Sequence, residues 1–218
     1  GGGSALFDAP ARHLPESPGI ADYYRQLGSL RANIMINKTG GNAKILHVAF
    51  HGVTFGEYLS EGFREGIAAC GGCEVVGTLK VAPADVSQLR QKFESALLKV
   101  PSATAVAVDV NFFFVAGVQQ ALVAANRPNL AVVGGECQLE NLDYIRSGKG
   151  EQVCIGGSNG YRAYGTIDAL NRAFNGQPVV PSGSGFQIVD KDRNLPAEGA
   201  NYEGPVDFRD RYRKLWGV

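Results

Sequence analysis

Reactive chemistry in this chain would have to come from four cysteines, three histidines and a few polar side chains set in turns. Cys70-Gly71-Gly72-Cys73 has C-x-x-C spacing, which serves a redox centre, half a zinc site or a small structural loop. Zinc needs two further ligands nearby, and His13, His47 and His51 do not recur at metal-finger spacing. A redox pair sits at a helix N-terminus that stabilises the thiolate. Here the pair follows a helical stripe and precedes a strand, which leaves a structural disulfide or two free thiols. Cys137, beside Glu136 and with His51 or His47 as base, has the makings of a nucleophile, but no third group to orient the base is visible.

Phosphate-binding and hydrolase signatures are absent. There is no G-x-x-x-x-G-K-[ST] loop and no G-x-S-x-G elbow, and His51-Gly52-Val53-Thr54-Phe55-Gly56 has the wrong glycine spacing for a dinucleotide turn. No cofactor is implied.

The elements that must carry these residues alternate regularly. Ile20, Tyr23, Leu27, Leu30 and Ile34 recur at steps of three and four until Gly40-Gly41, and Lys44–Phe50 then reads as a buried strand. Leu59, Phe63 and Ile67 mark a second helix, and 74–79 the next strand. A third helix runs between Pro83 and Pro101, and the unalternating run 104–108 reads as a strand covered on both faces. Asn111 is placed to cap a helix through Val115, Val118 and Leu122. Strand 130–133, helix 139–147, strand 152–155 and a helix bearing Ile167, Leu170 and Phe174 complete the series. Five βα units in a row predict an α/β fold, a doubly wound parallel sheet with helices on both faces and ligands at the carboxyl ends of the strands.

On that edge the sequence places His51, Thr54, Phe55 and Glu57; then Asp109, Asn111 and Phe112-Phe113-Phe114; then Glu136 and Cys137; then Gly156–Tyr161, including Asn159. Consecutive helical residues point about 100° apart, so the three phenylalanines divide between core and ligand. Asp109 and Asn111 equally suit helix capping, Glu136 a solvated loop and His51 a satisfied turn.

The chain has 218 residues, about one and a half usual domain lengths. Lysine and arginine total 21 and so do aspartate and glutamate, which removes the broad positive field of a nucleic-acid binder. No apolar stretch is long enough to span a bilayer. The Gly1-Gly2-Gly3-Ser4 start reads as a linker or the interior of a longer chain.

The order of motifs resembles the type I periplasmic binding proteins, the sugar-type solute receptors of ABC importers related to ribose-binding protein. Glu61–Gly66 is similar to that family's "GF..G" helix, and Asn111 ahead of Ala116–Leu122 to its "ND..A.G...AL" turn and helix. Val132-Val133-Gly134-Gly135-Glu136 resembles "VVGFD", Tyr144–Lys149 "I..GK", and Leu170 to Val179 "L.G.PV". The resemblance implies two Rossmann-like lobes that clamp a small-molecule ligand. Residues 18–176 would then be the C-terminal ligand-binding lobe, 1–17 a linker or the end of the N-terminal lobe, 177–205 a return crossing and irregular segment, and 206–218 a C-terminal helix and tail. The rest of the N-terminal lobe would be missing, and an ABC transporter permease would be the partner.

Carried over by position, Asn111 and Glu136 would bind the ligand. Glu57 stands where ribose-type members carry arginine, and Phe112 replaces the aspartate of the turn. These departures point from ribose toward a less polar or flatter ligand held with Phe55, Phe112 or Phe113. Export to the periplasm or to the cell surface as a lipoprotein would make Cys70–Cys73 and Cys137–Cys154 disulfides. The alternative function is a small-molecule sensor or effector-binding regulatory domain, which related lobes also serve.

Overall fold

The computed structural model describes residues 14–15 and 19–218. Apart from Leu14 and Pro15, the expected linker 1–17 lies outside them, as does His13. Helix α1 (Ile20–Lys38) comes first and ends where Gly40 and Gly41 both take positive φ, a conformation glycine adopts without a Cβ penalty. Then β1 (Ala43–Phe50), α2 (Thr54–Ala68), β2 (Cys73–Val81), α3 (Leu89–Lys99), β3 (Ala105–Val108), α4 (Gln119–Ala125), β4 (Ala131–Glu136), α5 (Leu139–Ser147), β5 (Val153–Gly156) and α6 (Asn159–Phe174) alternate. Two elements close the chain, β6 (Gln187–Asp190) and α7 (Phe208–Trp216).

The strands form one sheet in the order β2-β1-β3-β4-β5-β6. The first five are parallel, as the βα alternation predicts, and β6 runs antiparallel to β5. Every residue of β3 is buried, as expected of a central strand covered on both faces.

Helices α1 and α2 touch backbone to backbone. A Cβ on Gly28 would stand 2.1 Å from the Leu59 carbonyl oxygen, and one on Gly62 would stand 2.0 Å from that of Arg25. Only glycine at both positions permits this approach.

Within the segment 177–205, expected to be a return crossing, β6 pairs with β5 on this sheet. Tyr202 then packs over Gly156 and its hydroxyl bonds Gln187 Oε1 at 2.5 Å. The last helix docks its aromatic face on α6: Tyr161 stacks on Phe208 at 5.1 Å and Tyr164 on Trp216 at 5.5 Å.

Both cysteine pairs are disulfides, Cys70–Cys73 and Cys137–Cys154. The second ties the end of β4 to β5 and leaves Cys137 no thiol, which removes the nucleophile.

Candidate functional site

Parallel pairing sends β1 to β5 to one edge, so Phe50, Val81, Val108, Glu136 and Gly156 end side by side. Beneath that edge lies a buried polar knot. Asp109 Oδ1 accepts from Arg31 Nη1 at 3.1 Å and lies 2.8 Å from His47 Nε2. Its Oδ2 accepts the Phe50 N–H at 3.0 Å and the Ser60 hydroxyl at 2.8 Å. Arg31 also donates to the carbonyls of Asp109 (2.8 Å) and Gly134 (3.2 Å). Burial pushes the Asp109 carboxyl up, but His47, Arg31 and Ser60 more than offset that and hold it below its ordinary value. With both oxygens spent and no exposed surface, Asp109 cannot meet a ligand. The expectation for it is corrected: it fixes the β3 turn to α1, β1, α2 and β4.

That turn carries Asn111 up to β4. The Asn111 backbone N–H donates to Glu136 Oε2 at 3.3 Å. Gly135 makes the approach possible, since a Cβ there would come within 2.8 Å of the Asn111 nitrogen. Asn111 is 5% exposed, and its Nδ2 has no protein partner. Glu136 is the last residue of β4 and not a loop charge, so its carboxylate is held at the strand end.

Of the three phenylalanines, Phe113 and Phe114 are fully buried and Phe112 is 37% exposed. The division between core and edge is as the helical geometry requires, and it removes Phe113 from the ligand set. The helical run after it is broken by a kink at Gly117, whose φ of 137° lies outside helical geometry and suits glycine.

The aromatic edge extends beyond Phe112. Phe50 touches Phe55 and Phe112, both at 5.4 Å between ring centroids; Phe55 meets Tyr24 at 5.1 Å, Tyr24 meets Tyr23 at 5.5 Å, and Tyr23 meets Phe186 at 4.7 Å. Arg162 joins this band from the first turn of α6. Its Nη1 donates to the Tyr23 hydroxyl at 3.4 Å and its Nη2 to Asn159 Oδ1 at 2.5 Å. Burial raises both tyrosine pKa values, with Arg162 lowering and Glu136 raising them, so the guanidinium and the carboxylate act on the same two phenols.

Glu57 stands apart from this cluster. Its carboxylate accepts the Gly52 N–H at 3.1 Å and pairs with His51 Nδ1 at 2.8 Å, closing the turn before α2. The Gly52 N–H, acting against slight burial and with His51, lowers its pKa.

Tyr23, Tyr24, Arg162 and Phe186 were missed in the sequence. The signal was present for the tyrosines: α1 packs beside α2 and presents its first turn to the strand ends, so aromatic residues there were candidates. Among the described residues, no group of three or more His, Cys, Asp or Glu side chains is placed to hold a metal ion.

No protein-family model matches the sequence, and no curated protein matches it. Solved structures do match in fold. The glucose-galactose binding protein GanP from Geobacillus stearothermophilus superposes with a TM-score of 0.71 at 17% identity, over 84% of this chain and 66% of that one. A solute-binding protein from Actinobacillus succinogenes with bound D-allose gives 0.69 at 18%, over 78% and 61%. One from Agrobacterium radiobacter in complex with D-arabinose gives 0.66 at 19%, over 78% and 60%. The chain therefore has the fold of a type I periplasmic binding protein lobe and spans 60% to 66% of the length of these three. The first is a glucose-galactose binding protein, and the other two are solute-binding proteins of transporters.

Proposed function

We propose that this lobe belongs to an extracytoplasmic solute-binding protein that captures a small molecule, sugar-like or less polar, and delivers it to an ABC importer. One observation carries the reading: Asn111 and Glu136 meet at the strand ends with an aromatic band and Arg162 around them, on the edge where parallel sheets bind ligands. Glu136 and Asn159 supply acceptors for hydroxyl groups, and Asn111, whose buried Nδ2 has no partner, stands beside them. Phe112 and Phe55 supply ring faces for the apolar side of a sugar or an aromatic ring. Residues 18–176 form the binding lobe in this reading, and closure of a second lobe over the edge would bury the ligand. Two disulfides support an oxidising, extracytoplasmic location.

The test is calorimetric titration of D-galactose, D-glucose, D-allose, D-arabinose and a set of aromatic metabolites into the protein with a second lobe joined to it. Saturable heat that disappears in Glu136→Ala supports the reading. No heat with any of them, together with turnover of one, overturns it.

A further inference from the structure

Helices α6 and α7 lie together on the outer flank of the lobe, and the Tyr161–Phe208 and Tyr164–Trp216 stacks occupy the faces they turn to each other. The outward side of α6 carries Ile167, Leu170 and Phe174 at steps of three and four, all exposed, with Phe174 at 81%. Leu215 of α7, itself 58% exposed, borders the same groove as Ile167. Large apolar side chains left side by side in water mark a contact surface.

The unpaired charge on this flank leans positive, two cations against the capping Asp207 of α7. Arg209 pairs with Glu203 and Arg213 with Asp210, whereas Arg211 and Lys214 have no ion-pair partner among the described residues. Asp168, the acid at the seam, is occupied by Arg172 at 2.7 Å and the Trp216 indole N–H at 3.0 Å. The formal charge of the whole chain is zero, so two unpaired cations beside four exposed apolar side chains are a local departure.

We propose that the outer flank of α6 and α7 docks on an anionic lipid bilayer, with Ile167, Leu170, Phe174 and Leu215 in the interfacial layer and Arg211 and Lys214 against the headgroups. A bilayer accepts protruding side chains without shape complementarity, and its negative surface attracts unpaired cations. A second copy of this chain, meeting the same flank across a two-fold axis, would set Arg211 and Lys214 against their own equivalents. No described helix is long and apolar enough to cross a membrane, so the contact is interfacial. α6 begins at the strand-end edge and carries Phe174 about 24 Å away, at 1.5 Å per residue. Docking at that end leaves Asn111 and Glu136 free.

The experiment is co-sedimentation of the full chain with vesicles of phosphatidylcholine alone or mixed with phosphatidylglycerol, at low and high salt. Trp216, the single tryptophan, reports insertion through quenching by brominated lipid. The expected result is binding to the mixed vesicles only, weakened by salt and accompanied by quenching. Arg211→Gln with Lys214→Gln reduces partitioning roughly thirtyfold, about fivefold per cation. Phe174→Ser reduces it about tenfold. These positions are exposed, and unchanged circular dichroism verifies folding. Failure to sediment with mixed vesicles overturns the proposal, as does equal binding to neutral ones. It is also overturned by a dimer in sedimentation equilibrium that Phe174→Ser dissociates, or by tighter binding to polyglutamate than to vesicles.

Discussion

Arg31 and Asp109 form an ion pair whose side chains have no solvent exposure, with Nη1 and Oδ1 3.1 Å apart. The pair holds the turn that presents Asn111, so structural integrity and the candidate site depend on the same carboxylate.

Arg31→Met leaves that carboxylate buried without its guanidinium partner and costs about 3–5 kcal/mol, measured by urea unfolding. The acid limb changes too. Asp109 titrates below its ordinary value of 3.8 when folded, so the stability it contributes is present above that value and is lost as pH falls through the lower folded one. Removing Arg31 raises the folded value, and acid unfolding of the variant begins at higher pH. Superimposable acid limbs would refute the role given to this pair.

Glu151 predicts the opposite slope. Burial, aided by Glu136 and opposed by the Asn141 hydrogen bond, lifts its carboxyl well above the ordinary 4.5. Between these two values the folded state keeps a proton the unfolded chain has released, so stability falls as pH rises, by about 1.4 kcal/mol for each pH unit traversed. Glu151→Gln retains an acceptor for Asn141 and has no proton to lose. Its urea midpoint gains on wild type between pH 5 and pH 7.5, and a constant difference would show that Glu151 ionises normally.

At the strand-end edge, Glu136→Gln weakens binding of any sugar found by calorimetry about 10- to 100-fold, the range for a hydrogen bond to a charged group. Phe112→Ala weakens it about 2- to 10-fold and leaves the melting temperature nearly unchanged, because the ring is partly exposed. Unaltered affinity in both variants would move the site elsewhere.

The disulfides differ in what they close. Cys137–Cys154 spans 17 residues and Cys70–Cys73 only 3. By loop-closure entropy, replacing the first pair with alanine costs about 3 kcal/mol and the second less than about 2 kcal/mol. Denaturant midpoints of the two double variants, after intact mass has verified both bonds in the parent, give the order directly.

Periodicity was enough to read the parallel sheet, because a run such as Ala105–Val108 must be covered on both faces and Tyr23, Leu27 and Ile34 must share one. Direction was less legible: Gln187–Asp190 has a strand's composition whichever way it runs. At the site, spacing located Asn111 and Glu136. It did not distinguish Asp109, two residues earlier, whose role depends on Arg31 from 78 positions away. Arg162 was invisible for the same reason, since its contact with Tyr23 bridges 139 positions. Local pattern reports which face a residue takes and is silent about partners that only folding supplies.

The glycine contact between α1 and α2 also bears on the order of assembly. Only β1 separates the two helices in sequence, and Gly28 and Gly62 let them close without displacing a side chain. Short-range contacts form early because little chain must be ordered first. The first three elements thus make a natural nucleus, against which β3 and β4 can condense before the Arg31 guanidinium loses its water.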